Sequence, residues 1–195
     1  MNTSLGLRSL FLMFIAILTA TFALTACAGQ KSDSEATFND ADVAFASGMI
    51  PHHQQAVVMS DWAAKRASDP KVKALAERIS AAQGPEIKTM TAWLKAWDQP
   101  VPEAYDPDHG GHSMNGMDMG SGGMMSAEDM ETLDNSKGKA FDREFLRQMI
   151  EHHEGAVTMA KEEQKAGENR ESKALATSII TAQTAEIAQM RSLLK

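Results

Sequence analysis

From about residue 39 onward, apolar positions recur every three or four residues, and this period predicts helix. One stripe runs Phe45, Met49, His52, Ala56, Met59, Ala63, with Ala46, Ile50, His53 and Val57 beside it. A second runs Val72, Ala76, Ile79, Gln83, Glu86, Met90, Trp93, Trp97. The segments are rich in Ala, Leu, Met, Glu, Lys and Gln, all good helix formers, and strand signals are missing. Helices are therefore predicted over residues 40–67 and 70–97. Ser68, Asp69 and Pro70 supply a cap and a first-turn proline between them, and Asp98, Gln99 and Pro100 form a stop. A second pair is predicted over 139–166 and 170–194, turning at Gly167, Glu168 and Asn169. Ser126 and Asp129 have the spacing of a capping box, which places a short extra helix in the 98–138 connection.

The second pair repeats the first. Residues 41–94 align with 141–194 without a gap, and 21 of the 54 positions are identical. Phe45/Phe145, Met49/Met149, His52/His152, His53/His153, Gln83/Gln183, Glu86/Glu186 and Met90/Met190 are among them. An amphipathic hairpin cannot bury its apolar face alone, so the expected fold is all-α, a four-helix bundle made of two repeated helical hairpins closed about a pseudo-twofold axis. Pro51, Gly84 and Pro85 face Glu151, Thr184 and Ala185 in the other copy, so kinks are expected in the first half alone.

The polar residues on the apolar stripes share one height. Antiparallel helices set residues equidistant from their turn side by side, so His52 and His53 fall level with Gln83 and Glu86. Met49 and Met90 lie within about one turn of them. The second copy predicts the same set from Met149, His152, His153, Gln183, Glu186 and Met190. Such groups are costly to bury unless they satisfy one another or bind something. A lone histidine or methionine on such a face is ordinarily packing material, but the whole set recurs in register. That favours a metal, and imidazole with thioether favours copper as Cu(I) or Cu(II), with zinc or iron as alternatives. Di-iron bundles use Glu-x-x-His, whereas this chain has Met49-x-x-His52 and Met149-x-x-His152. Glu86 and Glu186 either ligate the ion or orient the histidines, with Gln83 and Gln183 beside them.

Charge and composition narrow the remaining classes. There are 19 Lys and Arg against 26 Asp and Glu, for a net charge of −7, and no basic block that would suit nucleic acid. No nucleophile triad, phosphate loop or nucleotide fingerprint is present, so no enzyme class other than a metal oxidase is supported, and a binding protein is expected ahead of that enzyme. Residues 10–24 form an apolar run too short for a membrane span but suited to a signal peptide. The run leads into Leu24, Thr25, Ala26 and Cys27, which resembles a bacterial lipobox. The resemblance implies removal of residues 1–26 and a lipid on Cys27, the one cysteine. The protein would then be exported and anchored on the extracytoplasmic face of the membrane, with residues 27–38 as a tether and 39–195 as the folded domain. The 98–138 connection holds six of the fourteen methionines. His109, His112, Met114, Met117 and Met119 in its glycine-rich centre resemble the Met/His runs of extracytoplasmic copper carriers. A biased linker or an oxidant sink is the plainer reading.

The patterns Phe45-x-x-x-Met49-Ile50-Pro51-His52-His53-x-x-Ala56-Val57-x-Met59 and Gln83-x-x-Glu86-Ile87-x-x-Met90 resemble the domain-of-unknown-function family numbered 305. The resemblance covers about residues 39–195. It implies a ferritin-like four-helix bundle of exported bacterial proteins, several of them tied to copper handling. The expectation is a copper-binding lipoprotein that buffers or passes on the ion. Its rivals are a ferritin-like metal oxidase and an envelope interaction module whose histidines only hydrogen-bond in the core. The sequence names no protein partner.

Overall fold

A computed structural model describes residues 37–106 and 122–195. Cys27, the tether up to residue 36, and His109, His112, Met114, Met117 and Met119 lie outside the described residues. Five helices follow in order: α1 (Asp40–Arg66), α2 (Pro70–Ala96), α3 (Ala127–Asn135), α4 (Gly138–Ala166) and α5 (Arg170–Leu193). Their ends match the sequence signals to within a residue or two. Asn39 caps α1 in a box closed by Asp42, and Ser126 caps α3 with Asp129. Asp69 caps α2 with Pro70 in its first turn. Asp98 terminates α2 in the left-handed region (φ 55°). This lets Gln99 N–H reach the Leu94 carbonyl at 2.8 Å and closes a Schellman turn. Both α1 and α2 run on through Pro51 and Pro85. Among the described residues no helix is long and apolar enough to cross a membrane.

The helices pack as two hairpins, α1 on α2 and α4 on α5, joined mainly through α1 against α4, while α2 and α5 barely meet. Two apolar clusters result. One combines the turn end of the first hairpin (Met59, Val72, Leu75, Ile79) with the open end of the second (Phe141, Phe145, Met149, Met190). The other pairs the open end of the first (Phe45, Met49, Met90, Leu94) with the turn end of the second (Ala160, Ala176, Ile179). The hairpins are thus antiparallel, and the histidines fall between the clusters. Helix α3 adds Met130 and Leu133 to the first cluster, with Gln148 donating to the Asp129 carbonyl at 2.8 Å. Burying side chains of this size contributes about 1.5–3 kcal/mol each.

Each hairpin also ties down the turn of the other. Asp142, on α4, accepts from the Ser68 and Asp69 amides at 2.7 and 2.9 Å. Its repeat mate Asp42, on α1, accepts from Glu168 and Asn169 at 3.1 and 2.9 Å. These amides open α2 and α5, where carboxylates are favoured by the unpaired N–H groups and the helix dipole. Both aspartates are buried.

Candidate metal centre

His52, His53, His152 and His153 are all buried, at 0–1% exposure. The two neighbours on each helix face different partners. His53 turns toward its own hairpin, where Nε2 lies 2.7 Å from the Glu86 carboxylate, and His153 repeats this with Glu186 at 2.8 Å. His52 and His152 meet across the hairpin interface with ring centres 3.7 Å apart and planes inclined by 41°. Counting from the turn put His53 and Glu86 at one height, and their hydrogen bond shows that height directly. Glu86 and Glu186 retain about 20% side-chain exposure and sit at the edge of the layer.

Hydrogen bonding sets which imidazole atoms are free. A carbonyl can only accept, so the 2.9 Å contact between His52 Nε2 and the Gly122 oxygen places the proton on Nε2. An ionised carboxylate imposes the same choice on His53 and His153. In the neutral form of each of these rings the lone pair is then on Nδ1. Those three Nδ1 atoms, and both ring nitrogens of His152, are buried without a well-formed hydrogen bond among the described residues. Gln83 has neither amide atom paired, and the side-chain oxygen of Gln183 is unpaired as well. Burial, reinforced by the nearby His53, pulls the His52 pKa down to about 3. His152 is held well below the ordinary histidine range by burial and then by the imidazole of His52. Both rings are neutral at physiological pH, the form that ligates metals.

The thioethers flank the layer. Met49 and Met90 are fully buried in one apolar cluster, and Met149 and Met190 in the other. Among the described residues, no three His, Cys, Asp or Glu side chains converge on a point with the geometry of a metal site. The His52–His152 contact gives the reason. With metal–nitrogen bonds of about 2.0–2.1 Å, two imidazoles on one ion stand roughly 4.5–6.5 Å apart between ring centres. At 3.7 Å the rings touch each other instead. An ion shared between them requires the rings to part. Glu86 and Glu186 are hydrogen-bonded to imidazoles, the arrangement in which carboxylates orient metal-binding histidines.

Three features near the layer escaped the sequence reading. Gln55, buried just after His53, donates to the Tyr105 hydroxyl and the Met125 carbonyl and accepts from the Met125 amide. Gln54 accepts from the Tyr105 amide at 2.9 Å. Both described ends of the connection are therefore fastened to α1 beside the histidines. At the repeat mate of Gln55 stands Gly155, against which Gly122 and Gly123 pack. No identity in the repeat marks these positions; the signal lay in the difference between the copies.

Residues 42–194 match the family described as a domain of unknown function, DUF305. The chain belongs to that family. Several similar proteins have known structures. A protein of Streptomyces coelicolor, described as secreted, is 36% identical, with a TM-score of 0.69 over 79% of this chain and 91% of its own. CopM in its Cu(II)-bound form is 37% identical, with a TM-score of 0.64 over 78% of this chain and 95% of its own. CopM has also been solved in Cu(I)-bound and silver-bound forms. An uncharacterized protein of Acanthamoeba polyphaga mimivirus is 43% identical over 53 residues, 27% of this chain. The DUF305 chain spans only 35% of that viral relative's length. These likenesses agree with an all-α bundle of paired helices.

Proposed function

We propose that this protein is an extracytoplasmic copper-binding lipoprotein that buffers or transfers copper through its histidine layer. The observation that carries the reading is the set of five buried imidazole nitrogens without well-formed hydrogen bonds among the described residues. Each unpaired buried polar atom costs about 1–3 kcal/mol, and a ligated ion offsets that cost. Neutral imidazoles with Met49, Met90, Met149 and Met190 close by form a soft donor set that suits copper better than zinc or iron. The two carboxylates serve to orient His53 and His153. The copper-bound forms of CopM support the same choice of ion.

The remaining assignments belong to the same proposal. The bundle is ferritin-like. Cys27 carries a lipid that holds the exported protein at the membrane. His109, His112, Met114, Met117 and Met119 offer further soft ligands between two ends fixed at the layer. A Cu(I) titration against a competing chelator under reducing conditions tests the layer. The variant with His52, His53, His152 and His153 all changed to Ala is expected to bind at least ~10-fold more weakly, the scale at which loss even of supporting groups affects metal sites. Equal affinity in a folded variant would remove the layer from the function.

A further inference from the structure

We infer that Gly122 is a positioning residue of the copper layer, acting through its backbone carbonyl on the tautomer of His52. The inference rests on the copper reading above. The structural argument begins at Gly155. A Cβ there would lie far inside contact distance of the Gly122 carbonyl and 2.6 Å from the Gly123 Cα. All of these are backbone atoms, which cannot swing aside as a flexible side chain can. Gly123 is locked reciprocally, because a Cβ on it would meet the Glu151 oxygen at 2.7 Å and the Gly155 Cα at 2.9 Å. Its φ of +82° is also a conformation that glycine adopts without strain. Two residues on, Met125 has both its amide and its carbonyl bonded to Gln55. The segment from Gly122 to Met125 is thus strapped to α4 by close backbone approach and to α1 by a buried amide.

The strap ends on a ring. The Gly122 oxygen accepts from His52 Nε2 at 2.9 Å and leaves Nδ1 as the only lone pair His52 can offer. Glu86 and Glu186 do the same for His53 and His153. In this layer a backbone carbonyl therefore takes the part that carboxylates take elsewhere. The acceptor near His152 is the His52 backbone, and no well-formed hydrogen bond is made there, which makes the two halves unequal despite their shared residues. The difference traces to one pair of repeat positions, Gln55 and Gly155. Gln55 holds the strap, and Gly155 makes room for it.

The test combines nitrogen-15 NMR of the imidazoles in the metal-free protein with Cu(I) affinity. In the wild type, His52 is expected in a single tautomer, protonated on Nε2. Gly155→Ala lifts the strap, so His52 should become a tautomer mixture while His53 and His153 stay protonated on Nε2. Cu(I) affinity should fall about tenfold. Should that variant not fold, Gln55→Leu loosens the same strap without a clash and should give the same pattern. A wild-type His52 protonated on Nδ1 would overturn the inference. So would a lifted strap that left both the tautomer and the affinity unchanged. If the wild type bound no copper at all, the copper reading would fail, while the tautomer data would still decide what Gly122 does to His52.

Discussion

Leucine in place of His152 is expected to stabilise the metal-free protein by about 1–3 kcal/mol while weakening its copper binding at least ~10-fold. His152 is fully buried, and its ring nitrogens make no well-formed hydrogen bond among the described residues, the His52 backbone being the acceptor near them. An apolar side chain of similar size removes that desolvation cost and keeps the packing against His52. In a domain of this size, 1 kcal/mol moves the melting temperature by about 2–4 °C, so thermal unfolding of the metal-free protein resolves the effect. His53→Leu gives the contrast. It strands the Glu86 carboxylate that His53 now holds, and it should destabilise. Opposite signs for these two neighbours would show stability given up at His152 for function. A lower melting temperature for His152→Leu would mean that His152 is satisfied in the metal-free state.

Glu163→Gln is expected to abolish a loss of stability that the wild type suffers between about pH 4.5 and 7. Glu163 is 2% exposed at the α4–α5 turn. Burial lifts its pKa to about 7; Asp42 adds to the rise, while Ser172 and Lys173 oppose it. Asp42 shifts the other way. Burial pushes it up, but the Asn39, Glu168 and Asn169 amides that donate to it, with the Glu163 carboxyl nearby, outweigh that and lower it. Asp42 therefore stays ionised and Glu163 keeps the proton. A carboxyl whose folded pKa exceeds its unfolded one stabilises fully below the unfolded value, and that contribution is lost as pH rises through the folded value. The wild type should weaken from about pH 4.5 to 7, whereas a glutamine amide takes up no charge over that range. At pH 8 the variant should be more stable by about 1–3 kcal/mol, and near pH 4.5 the two should be nearly equal. Parallel melting curves against pH for the two proteins would refute this.

The periodic parts of the molecule were legible in its sequence. Helix ends follow from local caps, which the chain spells out at Asp69 and Ser126 and which the structure adds at Asn39 and Asn169. The height of the histidine layer follows from helical rise and the distance to a turn. What stayed hidden depends on contacts between hairpins. Asp42 and Asp142 are identical in the repeat, yet Asp42 already has a local reason to be there in the first turn of α1, and nothing local says that either caps the other hairpin. His52 and His53 look equivalent on their stripe; tertiary packing sends one to its counterpart His152 and the other to Glu86. Gln55/Gly155 and Ala63/Glu163 were passed over because the comparison of copies rewards sameness. At both pairs the copies differ where the structure departs from its own symmetry.

The structure of the copper-loaded protein tests the central claim most directly. Anomalous scattering should place copper inside the layer, bonded to imidazole nitrogens with a methionine sulfur close by. His52 and His152 should then stand farther apart than the 3.7 Å between ring centres seen here. Copper found only outside the layer, with those two rings still in contact, would contradict the account.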